Sequence, residues 1–176
     1  MAESEDLDSA TVDAVARLLG RRPRGLRAVP VRRENGDPVV IRVASLVAGK
    51  PFPTLFWLVD AELNLRIDRE EAGGLIARFQ AVVDDSPTLQ AAMVEDHREH
   101  ISLRDACMTA GDKAQLQELG FLGVLERRGI GGIEDFRYIR CLHTWYAAHL
   151  IQANTIGGLL DAHWSDNEEG PGSGVT

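Results

Sequence analysis

The chain has 176 residues, a formal net charge of -8, 44% hydrophobic residues and 26% charged residues. These values are typical of a globular domain, and the acidic balance argues against a general nucleic-acid binder. No apolar run approaches the ~20 residues of a membrane span, so we expect no membrane association. Two cysteines, Cys107 and Cys141, are too few for a disulfide scaffold, and a reducing cytoplasm is the expected compartment.

The two ends of the chain differ in composition from its centre. Residues 1–8 are rich in acidic side chains, and residues 165–176 are polar and rich in glycine. Neither end can bury enough apolar surface to offset the entropy of ordering. We therefore predict one globular domain over residues 9–164, flanked by two flexible polar tails.

The N-terminal half predicts one helix followed by three strands. Apolar residues at helical spacing favour a helix over residues 10–19, with Ser9 as its cap and Gly20 at its end. An Asn35-Gly36 pair, typical of a tight hairpin turn, lies between the first two of three segments rich in strand-forming residues. These predicted strands cover residues 26–33, 39–47 and 54–59.

The apolar period becomes helical from residue 68 onward. Asp68 and Glu71 resemble a capping box at the start of the first of these helices. The predicted helices cover residues 68–83, 87–108, 113–128, 138–152 and 155–164. Strands followed by helices indicate an α+β fold, with a small antiparallel sheet of about three strands in the N-terminal half packed against a helical C-terminal layer.

Three histidines lie on the predicted inward faces of two helices. His97 falls within the apolar stripe of its helix, and His143 and His149 both fall within the stripe of the last long helix. About 120° around the helix separates His143 from His149, so the two cannot chelate one ion alone. Cys141 lies nearly opposite the stripe if the helix has begun there. Histidine exchanges protons near neutral pH and binds transition metals, so these four residues are the catalytic candidates.

Three interpretations of these residues stay open from the sequence. The histidines are core residues bonded to the backbone or to Tyr146, or they hold a metal between two helices, or Cys141 and a histidine form a nucleophile pair. No HxxxH motif and no paired Cys/His spacing supports a metal site. We therefore name no metal ligand and no cofactor at this point.

A second group of candidates could bind an anion. Arginines precede the first strand and flank the start of the last long helix, and guanidinium groups suit phosphate or carboxylate. The loop at residues 129–132 offers backbone N–H groups, although it lacks a nucleotide-binding motif. Alternatively, the glycines permit a tight connection and the arginines pair with the chain's own carboxylates. The ligand-binding candidates are Arg22, Arg24, Gly131, Gly132, Arg140 and Asn154.

Three stretches carry a resemblance to a known family. They are Gly-Arg-Arg-Pro-Arg-Gly at 20–25, Phe-Pro-Thr-Leu at 52–55, and Arg-Cys-Leu-His at 140–143 with His149 and Asn154 downstream. Over about residues 18–160 the chain resembles the bacterial family called domain of unknown function 501. The family has no assigned activity, but its genes often lie beside those for a septum-formation initiator and an exopolyphosphatase. The resemblance therefore favours a phosphorylated or polyphosphate ligand.

The chain departs from the family pattern at two places. Many members carry extra cysteines in the first hairpin and near the end of the third strand. Here the hairpin has Arg32, Arg33 and Glu34, and the third strand ends in Val59-Asp60. This departure argues against a cysteine-ligated metal site shared with the family, and it leaves the group around Cys141 unaffected.

We predict from these patterns a His/Arg pocket for a phosphorylated or carboxylate small molecule, with hydrolase- or phosphoryl-transfer-like chemistry. In this hypothesis His143 transfers a proton, His97 or His149 orients it, and Arg140 binds the negative charge. The alternative is a non-catalytic protein-interaction module linked to cell division or polyphosphate metabolism, which predicts an exposed apolar patch. The sequence leaves open whether the protein is an enzyme.

Overall fold

The computed structural model describes residues 7–168, and strands precede most of the helices as predicted. A first helix is capped by Asp8 rather than by Ser9. It is α1 (Ser9–Leu19), and the strands are β1 (Leu26–Arg32), β2 (Pro38–Val43), β3 (Leu46–Val47), β4 (Lys50–Pro51) and β5 (Phe56–Leu58). Strands β1, β2 and β5 form an antiparallel sheet in that order, and β3 pairs with β4. The predicted α+β class and small antiparallel sheet are confirmed.

Seven helices follow the sheet within the described residues. They are α2 (Ala61–Ala72), α3 (Leu75–Asp84), α4 (Pro87–Cys107), α5 (Ala110–Glu118), α6 (Leu122–Leu125), α7 (Leu142–His149) and α8 (Thr155–Glu168), with a 3-10 turn at Ile130–Gly132 before α7. Helix α8 continues past residue 164, where the predicted domain ends. Residues 1–6 and 169–176 of the predicted flexible tails lie outside the described residues. Between residues 7 and 168, every helix is too short or too polar to cross a lipid bilayer.

The helix predicted from residue 68 starts earlier than expected. Asp60 caps α2, because its carboxylate accepts a hydrogen bond from the Leu63 amide at 2.9 Å. Asp68 and Glu71 therefore lie inside α2, and the capping box predicted from them is wrong. Because Asp60 caps α2, the carboxylates of Asp68 and Glu71 do not cap this helix and can contact other parts of the chain.

Left-handed glycines interrupt two predicted helices. Gly74, with a φ of +80°, lies within the helix predicted over 68–83 and separates α2 from α3. Gly120, with a φ of +71°, divides the helix predicted over 113–128 into α5 and α6. The strand predicted over 39–47 ends at Val43, and its last two residues form β3, which turns into β4 through Gly49, with a φ of +72°.

Helix α7 begins four residues later than the predicted start at residue 138. The backbone of Cys141 is extended, with φ -158° and ψ 123°, and Cys141 is the N-cap residue. The amide of Ile139 donates a hydrogen bond at 2.9 Å to the side-chain oxygen of Gln80 in α3, rather than to a residue of α7. These contacts hold the segment before α7 in an extended conformation.

The sheet is covered on both faces. Helix α1 places Val15 on one face in a buried cluster with Ile41 and Val59. Helix α7 packs against β5 on the other face, where Trp145 joins a larger cluster that includes Leu58. Because α7 also contacts α2, its N-terminal end lies beside the last turn of α2. This junction positions the candidate site.

Candidate functional site

Three side chains with reactive groups meet at the junction of α2 and α7. Nδ1 of His143 lies 3.6 Å from Sγ of Cys141 and 3.3 Å from Oε1 of Glu71. We call these three residues the Glu–Cys–His cluster. Within residues 7–168, no other group of three histidine, cysteine or acidic side chains brings its ligand atoms within 4.8 Å of one another. The structure thus brings together two predicted residues and one that the sequence did not assign to a site.

The cluster arises from how α7 begins. Because the Cys141 side chain makes no capping hydrogen bond, the first amide of α7 needs another acceptor. Oε1 of Glu71 accepts a hydrogen bond from the Leu142 amide at 2.6 Å and so caps α7 from α2. The extended backbone at Cys141 turns its side chain back toward His143. A cysteine two residues before a histidine inside a helix would point to a different face.

The other ring nitrogen of His143 faces two oxygen atoms of α2. Nε2 lies 3.3 Å from the backbone oxygen of Asn64 and 3.3 Å from Oδ1 of Asp68. Asn64, Asp68 and Glu71 share one face of α2, at helical spacing. The pKa of His143 is raised to about 9, first by the hydrogen bond with the Cys141 sulfur and then by the nearby charges of Cys141 and Glu71. The two carboxylates beside the His143 ring, those of Asp68 and Glu71, both belong to α2.

His97 is placed in the core, away from this junction. Its Nδ1 accepts a hydrogen bond from the Ile130 amide at 2.9 Å, and its ring stacks on Phe136 with centroids 4.5 Å apart. A Cβ atom at Gly129 would lie 2.2 Å from Nδ1, so the loop reaches the ring only because residue 129 is glycine. Burial lowers the pKa of His97 to about 4. The side chain anchors the loop and does not face the Glu–Cys–His cluster.

His149 has a similar role at the connection between α7 and α8. Its Nδ1 accepts a hydrogen bond from the Asn154 amide at 3.0 Å, and its Nε2 lies 3.0 Å from Oδ2 of Asp161. A Cβ atom at Gly157 would lie 2.1 Å from the ring. Both ring nitrogens are therefore used within the fold. The structure does not gather His97, His143 and His149 into one pocket.

Asn154, a predicted ligand-binding residue, is also committed to the fold. Its side-chain oxygen accepts a hydrogen bond from the Gly157 amide at 2.8 Å and thereby caps α8. Its side-chain nitrogen donates to the Trp145 carbonyl at 3.0 Å, and the residue is buried. Both ends of the amide are thus occupied.

The predicted glycine loop has fewer free amides than expected. The Ile130 amide donates to His97, the Gly132 amide to the Gly129 carbonyl, and the Gly129 amide to the Ile133 carbonyl. These N–H groups cannot also hold an anion. Gly131 and Gly132 both have positive φ, so the glycines serve the tight connection that the alternative interpretation predicted.

The predicted arginines fall into two places. Arg22 and Arg24 are exposed and make no hydrogen bond or ion pair with another residue of the described range. Arg140 is also exposed, and together with Arg128 and Gly132 it borders a depression of about 310 Å³. The first two arginines do not line this depression. Arg140 directly precedes Cys141 in the chain, but the Glu–Cys–His cluster does not line this depression.

An ion pair occupies the two places where the family resemblance suggests cysteines. Arg33 of the hairpin binds Asp60, at the end of the third strand, through two hydrogen bonds of 2.5 and 2.8 Å. The guanidinium of Arg33 lowers the pKa of the buried Asp60 carboxyl. The two places are therefore in contact in this chain, and a charge pair holds them together.

Glu71 and Asp68 were not predicted as site residues. Their spacing of three residues is typical of a capping box and predicted a helix start instead. No spacing rule links α2 to a motif about 70 residues later in the chain. The signal that could have linked Asp68 and Glu71 to a site is that they share one face of a helix. That shared face becomes apparent only when α2 is known to begin after Asp60.

Comparisons with known proteins add a family and nothing on activity. The model of a family described as "Protein of unknown function (DUF501)" matches residues 29–162, about three quarters of the chain. No curated protein and no solved structure matches the chain.

Proposed function

We propose a function from the site itself, because the chain belongs to the DUF501 family and the description of that family names no activity. The protein binds a phosphorylated or carboxylate small molecule at Arg140. It acts on this ligand in a hydrolase- or phosphoryl-transfer-like reaction at the Glu–Cys–His cluster, whose Cys141 follows Arg140 in the chain. The observation that carries the proposal is an exposed arginine that has no ion-pair partner within residues 7–168 and precedes a residue of that cluster.

The charge balance around Arg140 supports anion binding. Two acids also line the depression, but Glu134 lies 3.2 Å from Arg128 and Asp135 lies 3.4 Å from Arg137. Arg140 makes no ion pair with any residue of the described range, so its positive charge is not balanced locally. Guanidinium groups bind phosphate and carboxylate through paired N–H donors. The volume of about 310 Å³ lies at the lower end of small-molecule sites, which span roughly 300–1,000 Å³.

The cluster supports a chemical role beyond binding. It combines a thiol, an imidazole and a carboxylate, and solvent reaches 22% of the His143 side chain and 25% of the Glu71 side chain. A polar group that serves only the core is normally enclosed, as His97 is. Arg140 and Cys141 are consecutive in the chain, so the proposal requires that an anion bound by the guanidinium also reaches these groups.

The compartment belongs to the same proposal. Cys107 and Cys141 are both free, and free thiols persist in a reducing environment. We place the protein in the bacterial cytoplasm, where phosphorylated small molecules are abundant.

A thermal-shift panel tests the proposed function. Orthophosphate, pyrophosphate, polyphosphate, nucleotides and small carboxylates are added in turn to the full chain. A ligand at 100 times its Kd stabilises the protein by about 2.7 kcal/mol, which raises Tm by several degrees in a domain of this size. We expect R140A to lose the shift and R22A, an exposed arginine outside the depression, to keep it.

Two outcomes of this panel contradict the proposal. One is a wild-type Tm that no anion changes, which favours the predicted interaction module instead. The other is an equal shift in R140A and the wild type, which moves anion binding to another surface.

A further inference from the structure

We propose that Glu71, Cys141 and His143 bind one divalent transition-metal ion of the zinc class, with one coordination position left open for solvent or ligand. The sequence patterns name no metal ligand in this chain. The inference goes beyond the anion site, because metal binding needs neither Arg140 nor an anion.

The spacing of the three side chains fits a tetrahedral ion. Zinc binds sulfur at about 2.3 Å and nitrogen or oxygen at about 2.0–2.2 Å, so tetrahedral ligands lie about 3.5 Å apart for nitrogen and sulfur and about 3.4 Å apart for nitrogen and oxygen. In the cluster, Nδ1 of His143 lies 3.6 Å from the Cys141 sulfur and 3.3 Å from Oε1 of Glu71. These two distances match those of a tetrahedral site, and all three ligand atoms lie within 4.8 Å of one another.

The hydrogen bonds around the cluster fit the metal-binding form of its histidine. A histidine that binds a metal through Nδ1 is neutral and carries its proton on Nε2, which donates to a carbonyl or carboxylate. Here Nε2 of His143 faces the Asn64 carbonyl and the Asp68 carboxylate, each at 3.3 Å. Nδ1 faces the sulfur and Glu71, and an ion bound there would replace the proton that the raised pKa of His143 favours in the metal-free protein. The surrounding residues thus hold the ring in the required orientation.

The carboxylate ligand is fixed in the same way. Oε1 of Glu71 accepts the Leu142 amide at 2.6 Å, which orients the carboxylate toward the start of α7. Within residues 7–168 the ion-pair partner of Glu71 is His143, whose ring also lies beside Asp68. A divalent ion would balance the negative charge that the carboxylate and the Cys141 thiolate bring to this point.

Three protein ligands are typical of a zinc site that retains an open position. His143 and Glu71 are partly exposed, so solvent or a small ligand can reach that position. An ion there would supply Lewis acidity to an anion held by Arg140. Only this last step rests on the proposed function.

The test titrates metal into the full chain after removal of bound metal with a chelator. Zn²⁺ affinity is measured in competition with a chromophoric chelator, and Co²⁺ is followed by the thiolate-to-cobalt charge-transfer band in the near ultraviolet. We expect one equivalent of either ion in the wild type. C141S is expected to lose the charge-transfer band and at least ~100-fold in Zn²⁺ affinity, and E71Q to lose affinity while it keeps the band.

Matched variants separate ligation from damage to the fold. C107S removes the other thiol, and E70Q removes the neighbouring acid, which instead contacts His163 and Trp164. Both are expected to bind metal as the wild type does. D68N is expected to weaken Zn²⁺ binding about 10-fold and to keep the band, because Asp68 acts only through the ring of His143. Circular dichroism of the metal-free variants verifies that each is folded.

The outcomes distinguish this inference from the proposed function. A wild type without stoichiometric binding, or a C141S variant that retains the charge-transfer band, overturns the metal site. Metal binding that C141S and E71Q weaken supports it, even where no anion changes Tm. An anion shift that R140A abolishes, in a chain that binds no metal, supports the anion site and overturns the metal site.

Discussion

Three of the five histidines, those predicted as site residues, are of two kinds, and the contrast separates structural from reactive positions. His97 and His149 each accept a backbone amide at Nδ1 and pack against a glycine at a distance that no Cβ atom could tolerate. His143 instead faces a thiol and two carboxylates and remains partly exposed. All three lie on apolar helix stripes in the sequence. What distinguishes them is the partner at Nδ1, which is backbone in the first kind and side chains in the second.

The largest effect is expected where a glycine contacts a structural histidine. In G157A the new methyl group would lie 2.1 Å from the ring of His149, so the ring or α8 must move. We expect a loss of about 3 kcal/mol in the free energy of unfolding, measured by urea denaturation.

The neighbouring Gly158 provides the matched control for this substitution. A methyl group added there would have no heavy atom within 4 Å, so G158A introduces the same atom without the contact. That variant is expected to gain up to about 1 kcal/mol, because alanine favours a helix. Equal effects of G157A and G158A would contradict the contact with His149.

A second prediction compares the two kinds of histidine directly. H97A leaves the Ile130 amide without its acceptor and opens a space in the core beside Trp145. We expect H97A to lower the free energy of unfolding by about 3 kcal/mol. H143A is expected to cost about 1 kcal/mol, since its ring is partly exposed, and to abolish the activity or ligand binding of the site. If H143A unfolds the protein while H97A is tolerated, the division into two kinds is wrong.

The sequence predicted the fold class well because periodicity and turn residues are local signals. The α+β order, the hairpin at Asn35-Gly36 and the long helix beginning at Pro87 all follow from residues within one element. The errors are local ambiguities of the same kind. An Asp followed three residues later by a Glu, as at Asp68 and Glu71, occurs both at a helix start and inside a helix. Here Asp60 caps the helix, so Asp68 and Glu71 lie inside it.

The candidate site was only half predictable. Cys141 and His143 could be named because both residue types carry chemistry and lie close together in the chain. Their contact could not be predicted, because it needs the extended backbone at Cys141 and an acceptor, Glu71, from a helix about 70 residues away. The same limit applies to His149, which side-chain chemistry alone cannot distinguish from a reactive histidine until the contact with Gly157 is seen.

A third prediction concerns the pH dependence of stability, to which the two buried histidines of α4, His97 and His100, contribute. Burial lowers the pKa of His97 to about 4, and burial with the nearby charges of Arg104 and His97 lowers that of His100 to about 3. Unfolded histidine has a pKa of about 6.5. As the pH falls from about 6.5 toward 4, the unfolded chain therefore binds protons that the folded chain does not, and the free energy of unfolding decreases. Each buried histidine adds about 1.4 kcal/mol per pH unit to this slope.

A substitution at His100 tests this prediction directly. It removes the contribution of His100 to the pH dependence of stability without removing a hydrogen bond at Nε2. That atom has no hydrogen-bond partner within residues 7–168, and the ring contacts Phe56 edge-on. In H100L an apolar side chain fills most of the same space, so we expect the protein to remain folded and the slope between about pH 6 and pH 5 to fall by about 1.4 kcal/mol per pH unit. Urea denaturation at several pH values measures this slope. An unchanged slope in H100L would show that His100 is already protonated in the folded protein, and burial would then not be enough to keep a histidine of α4 neutral.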